Sequence, residues 1–331
     1  MAVLRGNILT SAHAQTFLTG AVRLSGMSTG VTPTQLNQSV PRSAPAARLF
    51  GTAAEMARPL SWWDLFTWWH VTAMSWPTGG GNRAHRGPVF LPWHRMFLRR
   101  LEGAIQAVTA DDSFALPYWD WSADGALPAA QQPTAPIWSL LGPSQGEVTQ
   151  GPLAQFRVRL TQSVDDGRFY VGPPRPIWRD AGRGRPTLPD GTDQARTLAD
   201  GLFDVSTWDE AADSFRNKLE GFQDPRESPV PRPGPFMHNL IHVWTGGDMA
   251  PGSSPNDPVF FLNHCNVDRL WEAWLTGRGR TYLPAGQGPV GHRANDPLFS
   301  VVWPSMTPTQ VLDPTEGGLD WYRYDVLPTA A

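Results

Sequence analysis

The chain has 331 residues, 40% of them hydrophobic, and a formal charge of −3, which marks a globular protein and excludes disorder as its main theme. That balance offers no general attraction for nucleic acid or anionic lipid, and the one cysteine, Cys265, excludes an intramolecular disulfide framework and any CxxC zinc or redox pair. Thirty-two glycines and 33 prolines predict long irregular loops over a smaller regular core. In chain order, the spacing of apolar residues predicts a first helix over 11–25, followed by a Ser/Thr/Pro-rich loop to about residue 47. A second helix over 57–75 carries Leu60, Trp63, Phe66, Trp69 and His70 at helical spacing, which puts His70 on its buried side. A glycine-rich loop follows. Pro92 then opens a helix with His94 near its start and Met96, Phe97, Leu101 and Ile105 as apolar positions.

From residue 116 to about 200 the pattern predicts loops with a small hairpin. A short helix is expected over 214–222 and a proline-locked loop over 223–235. Next come a helix holding His238 and His242, and a helix from Pro258 to about Leu275, ended by Gly277. No window approaches eighteen apolar residues and the N-terminus lacks a secretory apolar region. The chain is therefore expected in the cytoplasm, or outside it only with a partner's help. Fold class is expected to be mainly α, a four-helix bundle core wrapped in long loops with minor β, forming one domain over 1–331.

Histidines carry the chemistry. On a helix, residues four apart share a face, so His238 and His242 can aim at one centre. Alone, such a pair more often marks a hydrogen-bonded helix surface than a metal site. His264, 22 residues after His242 on another inward-looking helix, makes a trio, and His70, His85 and His94 make a second. Neutral imidazole suits zinc, copper, iron and nickel. The absence of an HExxH glutamate weakens the zinc-protease reading, and scarce acidic ligands argue against a carboxylate-bridged iron pair, which leaves copper favoured.

The stretches "AHRGPVFLPWHRMFLRRLE", "HNLIHVWTGGDM" and "NDPVFFLNHCNVDRLWEAW" closely resemble the two copper-binding regions of tyrosinases, the type 3 dicopper phenol oxidases, and especially the short bacterial ones. Arg5 and the "YRY" at 322–324 resemble the motifs that bracket the family's catalytic domain. The resemblance implies that His70, His85 and His94 hold one copper and His238, His242 and His264 the other, with dioxygen bound between them. It implies an oxidase that hydroxylates monophenols to ortho-diphenols and oxidises these to ortho-quinones. The rivals are a catechol or ortho-aminophenol oxidase with little monophenol hydroxylation and, from a different class, a dicopper oxygen carrier. No shielding domain is evident in the sequence, which disfavours the carrier. For some bacterial relatives copper delivery or export depends on a small companion protein, and the same dependence is expected here.

Residues around the coppers would decide what is done with oxygen. Glu220 matches the glutamate that in relatives fixes a water together with an asparagine, here Asn239, and such a water would take the proton of an incoming monophenol. The bland alternative is a surface ion pair between Glu220 and Lys218 or Arg216. An insertion between Glu220 and His238 leaves room to displace the carboxylate. Asn263 stands where most relatives have a histidine beside the ligand, and Arg83 replaces the cysteine that fungal and plant relatives join to their middle histidine. Val243 and Pro251 are expected around the pocket, the loop from Ala250 to Pro255 at its rim, and Phe260 under a histidine ring. Asp268 either orients a ligand imidazole or pairs with an arginine such as Arg5. Asp120 reads as a loop anchor, Cys265 as a small buried hydrophobe, and His13 and His292 as histidines without a role.

Overall fold

The computed structural model describes residues 2–75, 81–183, 187–226, 232–315 and 318–329. Strand β1 (Val3–Arg5) leads into α1 (Ala14–Gly26), which buries Phe17, Leu18, Ala21 and Leu24. The stretch read as loop to residue 47 contains α2 (Pro33–Ser39), started by a capping box between Thr32 and Gln35 with proline in its first turn. These local signals overcome the loop-like composition. After β2 (Leu49–Phe50) and α3 (Ala53–Ala57) comes α4 (Trp62–Ser75). It starts where Ser61 and Asp64 bond each other reciprocally, the Ser61 hydroxyl donating to the Asp64 carboxylate at 2.8 Å and accepting from its backbone N–H at 3.0 Å. Every residue of α4 from Trp63 to Ala73 is buried, so this helix is enclosed on all sides. Helix α5 (Phe90–Thr109) has Pro92 in its first turn, as the sequence predicts.

The region 116–200 is more regular than its composition suggests. It holds α6 (Trp121–Gly125), α7 (Pro136–Leu141), β3 (Gln145–Glu147), β4 (Val158–Gln162), β5 (Phe169–Arg175), β6 (Trp178–Asp180) and α8 (Gly191–Ala199). The expected hairpin is β4 with β5, extended by β2 pairing parallel to β5; β3 and β6 form a separate antiparallel pair. The short helix α9 (Phe215–Glu220) and α10 (Met237–Thr245) lie where the sequence places them. Helix α11 (Val259–Arg278) runs through Gly277 and stops before Gly279. The last turn is held because the Arg278 guanidinium donates to the Ala199 carbonyl at 2.8 Å and lies over Trp274, which offsets the roughly 1 kcal/mol cost of a helical glycine. Strand β7 (Tyr322–Tyr324) closes the chain beside β1 in parallel, Val3 opposite Tyr322 and Arg5 opposite Tyr324.

Aromatic packing joins α4, α5 and α11. Phe97 meets Phe66 and Phe261 at 5.6 and 5.4 Å between ring centres, and Trp69 meets Trp93 at 5.6 Å. Truncating one such buried ring costs about 3–5 kcal/mol, so the helices that carry histidines are rigidly related. A buried polar knot braces the same helices from below. Arg5 donates to Glu102 of α5 at 2.9 Å and lies 3.4 Å from the Tyr322 ring centre. Arg95 of α5 reaches Asp268 and Glu272 of α11 at 2.6 and 3.0 Å. Both tyrosine hydroxyls of β7 also donate to Asp268. Among the described residues Asp268 thus pairs with Arg5, Arg95, Tyr322 and Tyr324 and with no ligand imidazole. No helix among the described residues is long and apolar enough to cross a membrane.

Candidate metal centre

Each trio is built from two buried helical histidines and one less enclosed partner. His70 comes from α4 and His94 from α5, while His85 sits on the connecting loop. That loop is held by Asn82, whose side-chain oxygen accepts the backbone N–H groups of Ala84 and His85 at 3.0 and 2.8 Å. His292, assigned no role from sequence, is buried and bonds the Asn82 carbonyl at 2.8 Å through Nε2, so it steadies the loop from behind. His238 and His242 lie one turn apart on α10, and His264 comes from α11. Within each trio one ring nitrogen per histidine lies within 4.8 Å of the others.

Backbone carbonyls set the rings. Nδ1 of His70 bonds Gly252 O at 2.9 Å, Nδ1 of His94 bonds Phe90 O at 2.8 Å, and Nδ1 of His242 bonds Met249 O at 2.8 Å. A carbonyl only accepts, so each Nδ1 carries the hydrogen and each Nε2 keeps its lone pair. For His70 and His94 that Nε2 is buried without a partner among the described residues. In the other trio Nε2 of His238 faces Nε2 of His242 at 3.0 Å and of His264 at 3.1 Å. Converging lone pairs of this kind repel unless a cation lies among them.

Burial lowers the pKa of all six imidazoles, to about 3 for His70 and about 4 for His242, with the other four moved in the same direction. They are neutral ligands at physiological pH, as copper coordination requires. The two trios face one another across stacked rings of His94 and His264, 4.0 Å apart and 12° from parallel. Phe260 packs against His264 at 4.2 Å and His70 at 5.0 Å, where the sequence reading put it. Phe90, which that reading missed, packs against His94 and His238 at 5.0 and 4.8 Å. Only its place at the start of the histidine-bearing helix could have pointed to it. The donor set, its protonation and its orphaned lone pairs all fit a pair of copper ions.

Above the trios opens a cavity of about 340 Å³ whose lining includes His70, His85, His238, His242, Glu220 and Asn239, with Val243 and Pro251 also in its wall. Glu220 is fully buried rather than at the surface. It is paired with Arg216 at 3.0 Å and accepts the Arg86 backbone N–H at 2.6 Å. Arg86 donates from a left-handed conformation, φ 62°. Gly221, φ 107°, lets the chain turn immediately after Glu220, since a Cβ there would stand 2.1 Å from the Phe236 carbonyl oxygen. The insertion before His238 therefore leaves the carboxylate at the cavity. Burial pushes the Glu220 carboxyl up to about 7, against the opposing pull of Arg216. Asn239 accepts from His238 Nδ1 at 3.1 Å through Oδ1, and the Glu220 carbonyl receives the same N–H at 3.1 Å. Asn263 is fully buried and neither atom of its amide meets a partner among the described residues. The Cys265 thiol points at the Leu116 carbonyl and the Tyr324 hydroxyl, away from the histidines, and Asp120 accepts from Arg269 and Ser122 as a loop anchor.

Residues 60–277 match the family described as the common central domain of tyrosinase. The chain belongs to the tyrosinase family. It is 37% identical over 273 residues to a tyrosinase of Streptomyces antibioticus, covering 80% of this chain and 89% of that one. It is 38% identical over 262 residues to a tyrosinase of Streptomyces glaucescens, covering 76% and 86%. A grixazone synthase of Streptomyces griseus is 34% identical over 74% of this chain and 83% of its own. Among solved structures, a polyphenol oxidase of Thermothelomyces thermophila superposes with a TM-score of 0.64 at 22% identity, over 97% of this chain and 88% of that one, a likeness of fold. Tyrosinases use two copper ions, and the two histidine trios are positioned for them.

Proposed function

We propose that this member of the tyrosinase family hydroxylates monophenols to ortho-diphenols and oxidises ortho-diphenols to ortho-quinones, with dioxygen as oxidant. One observation carries the reading: two facing trios of neutral imidazoles floor an open cavity that also holds a fixed carboxylate. A copper pair held by His70, His85 and His94 and by His238, His242 and His264 would pass electrons from the phenol to dioxygen and would offer a Lewis-acidic position for the phenol oxygen. The protein's own groups do the rest. The cavity wall at Val243 and Pro251 admits a flat ring. Glu220, held by Arg216 and the Arg86 N–H, takes the phenol's proton through a water shared with Asn239. Its pKa near 7 suits a base that must be ionised at neutral pH and still bind a proton. Asn239 and the Glu220 carbonyl orient His238. Phe260, packed against the His264 ring, tunes that ligand by contact.

The centre lies in the core at the floor of this cavity, so a small companion protein that delivers copper there belongs to the reading. Uptake from copper salts that is as fast and complete as uptake with any such helper removes that part. The main test is copper loading followed by parallel assays with a monophenol and its catechol under oxygen. Turnover of both is expected. A catechol-only response removes the hydroxylase half, and inactivity on both removes the whole.

A further inference from the structure

We propose that the exposed indole of Trp178 forms a second aryl subsite, which takes the distal ring of an extended phenol whose hydroxyl-bearing ring occupies the histidine-floored cavity. The inference rests on the phenol-oxidase reading and adds a substrate class to it. A second concavity of about 640 Å³ adjoins the first: Ala250 and Pro251 line both and form the ridge between them. Its wall includes Val164, Pro176 and Trp178, and the indole is 45% exposed and Val164 95%.

Single exposed apolar side chains are common on protein surfaces and require no explanation. Trp178 differs because its backbone is fixed with respect to the metal centre. Its N–H donates to Asp248 at 2.8 Å, and the same carboxylate pairs with Arg175 through both oxygens at 2.7 and 2.5 Å. The next residue, Arg179, is fully buried against Asp257 at 2.6 and 2.8 Å. Gly247, φ 53°, lies so close that a Cβ would stand 2.0 Å from the Trp178 carbonyl oxygen. Thus the loop over 246–252 is locked to Trp178 at one end. That loop also gives Met249 O to His242 and Gly252 O to His70. The backbone that carries the indole is thus held at a set position relative to a ligand in each trio, as an enzyme subsite requires.

The charges select the occupant. Arg175 and Asp248 neutralise each other, and Glu147, the remaining charged residue described in this wall, is acidic. An anionic extension is disfavoured and a neutral aromatic ring favoured, offset-stacked on the indole.

The test compares copper-loaded wild type, Trp178→Ala and Trp178→Phe on catechol and on 4-phenylcatechol. Wild type is expected to prefer the biaryl. Trp178→Ala is expected to raise KM for the biaryl about tenfold, the scale of a lost aromatic contact, with catechol kinetics unchanged, and Trp178→Phe to restore most of the preference. Calorimetric titration of the same holoenzymes with 4-methoxybiphenyl, which has no free hydroxyl to oxidise, should show the same loss and rescue without turnover. Equal effects on both catechols, or no effect on either, overturn the subsite and leave the oxidase reading intact. Failure of wild type to oxidise either catechol overturns both.

Discussion

Replacing Glu220 by glutamine removes a charge while keeping shape. The carboxyl is buried, bonded to Arg216 and to the Arg86 N–H, and pushed up to about 7. A free monophenol has a pKa of about 10, so transfer to this carboxylate is uphill by roughly 4 kcal/mol, against roughly 8 kcal/mol for an ordinary glutamate. Burial thus recovers several kcal/mol of the proton-transfer step, and general-base assistance of this kind is worth about 10²–10⁴ in rate. Glu220→Gln is expected to lower kcat/KM for a monophenol by that factor and for the matching catechol by less than about tenfold. Arg216 keeps Asp204 at 2.7 Å, so the stability cost stays near 1–3 kcal/mol and urea unfolding should show a folded protein. In wild type, monophenol kcat/KM should fall as pH drops below about 7, because the carboxyl protonates there; the variant should lack that limb. The assay is a pH series of steady-state rates on both substrates. Equal slowing of monophenol and catechol, with the acid limb retained, refutes proton transfer by Glu220.

Other outcomes follow from the same geometry. Asn239→Ala removes one acceptor from His238 Nδ1 and leaves the Glu220 carbonyl; copper affinity, measured by chelator competition, should weaken about tenfold, and unchanged affinity would count against the orienting role. Chelation of copper should abolish turnover and lower the unfolding temperature reversibly, since metal that binds only the folded state stabilises it by about 4 kcal/mol at a thousandfold excess over Kd; identical melting of both forms would contradict metal binding by the buried imidazoles. Asp268→Asn should cost about 3–5 kcal/mol in urea unfolding. Arg95 and Arg5 hold the Asp268 carboxyl below its usual range against burial, so its contribution is present above about pH 4, the unfolded value, and is lost as pH falls through the lower folded one. The variant should therefore show a flatter acid limb of stability, and a wild-type limb would refute the assignment.

The helical ligands were legible because metal binding and core packing place the same demand on spacing. His70 recurs at helical spacing with Trp63 and Phe66 on α4, a helix buried on every side, and His238 and His242 lie one turn apart. His85 has no such period, and only the surrounding motif marks it. The carbonyls that fix the rings are invisible in a sequence because a backbone oxygen has no residue identity, and for Gly252 and Glu220 its direction also depends on how separate segments meet. The same limit left Asp268 undecided: a carboxylate four residues after a ligand satisfies either partner by spacing, and its contacts with Arg5, Tyr322 and Tyr324 arise only when β1 and β7 come together. Proline-rich composition concealed α7 and α8, although α7 opens on Pro136 and α8 on a capping box between Asp190 and Asp193, and α6 has neither signal at its start.

Distance between the trios is the quantity this fold must hold, and the residues that hold it are offset along the helices from those that would bind metal. Arg95 directly follows His94 on α5, and Asp268 lies one turn after His264 on α11. Their 2.6 Å contact, extended by Arg95 to Glu272, ties one ligand helix to the other just beneath the stacked imidazoles. In a buried site the pair is strongly directional and resists sliding of one helix along the other. Arg5 and Tyr324 then bring β1 and β7 onto the same carboxylate. The arginine near the start of the chain and the tyrosine motif near its end thus meet at Asp268, beneath the two helices that carry His94 and His264.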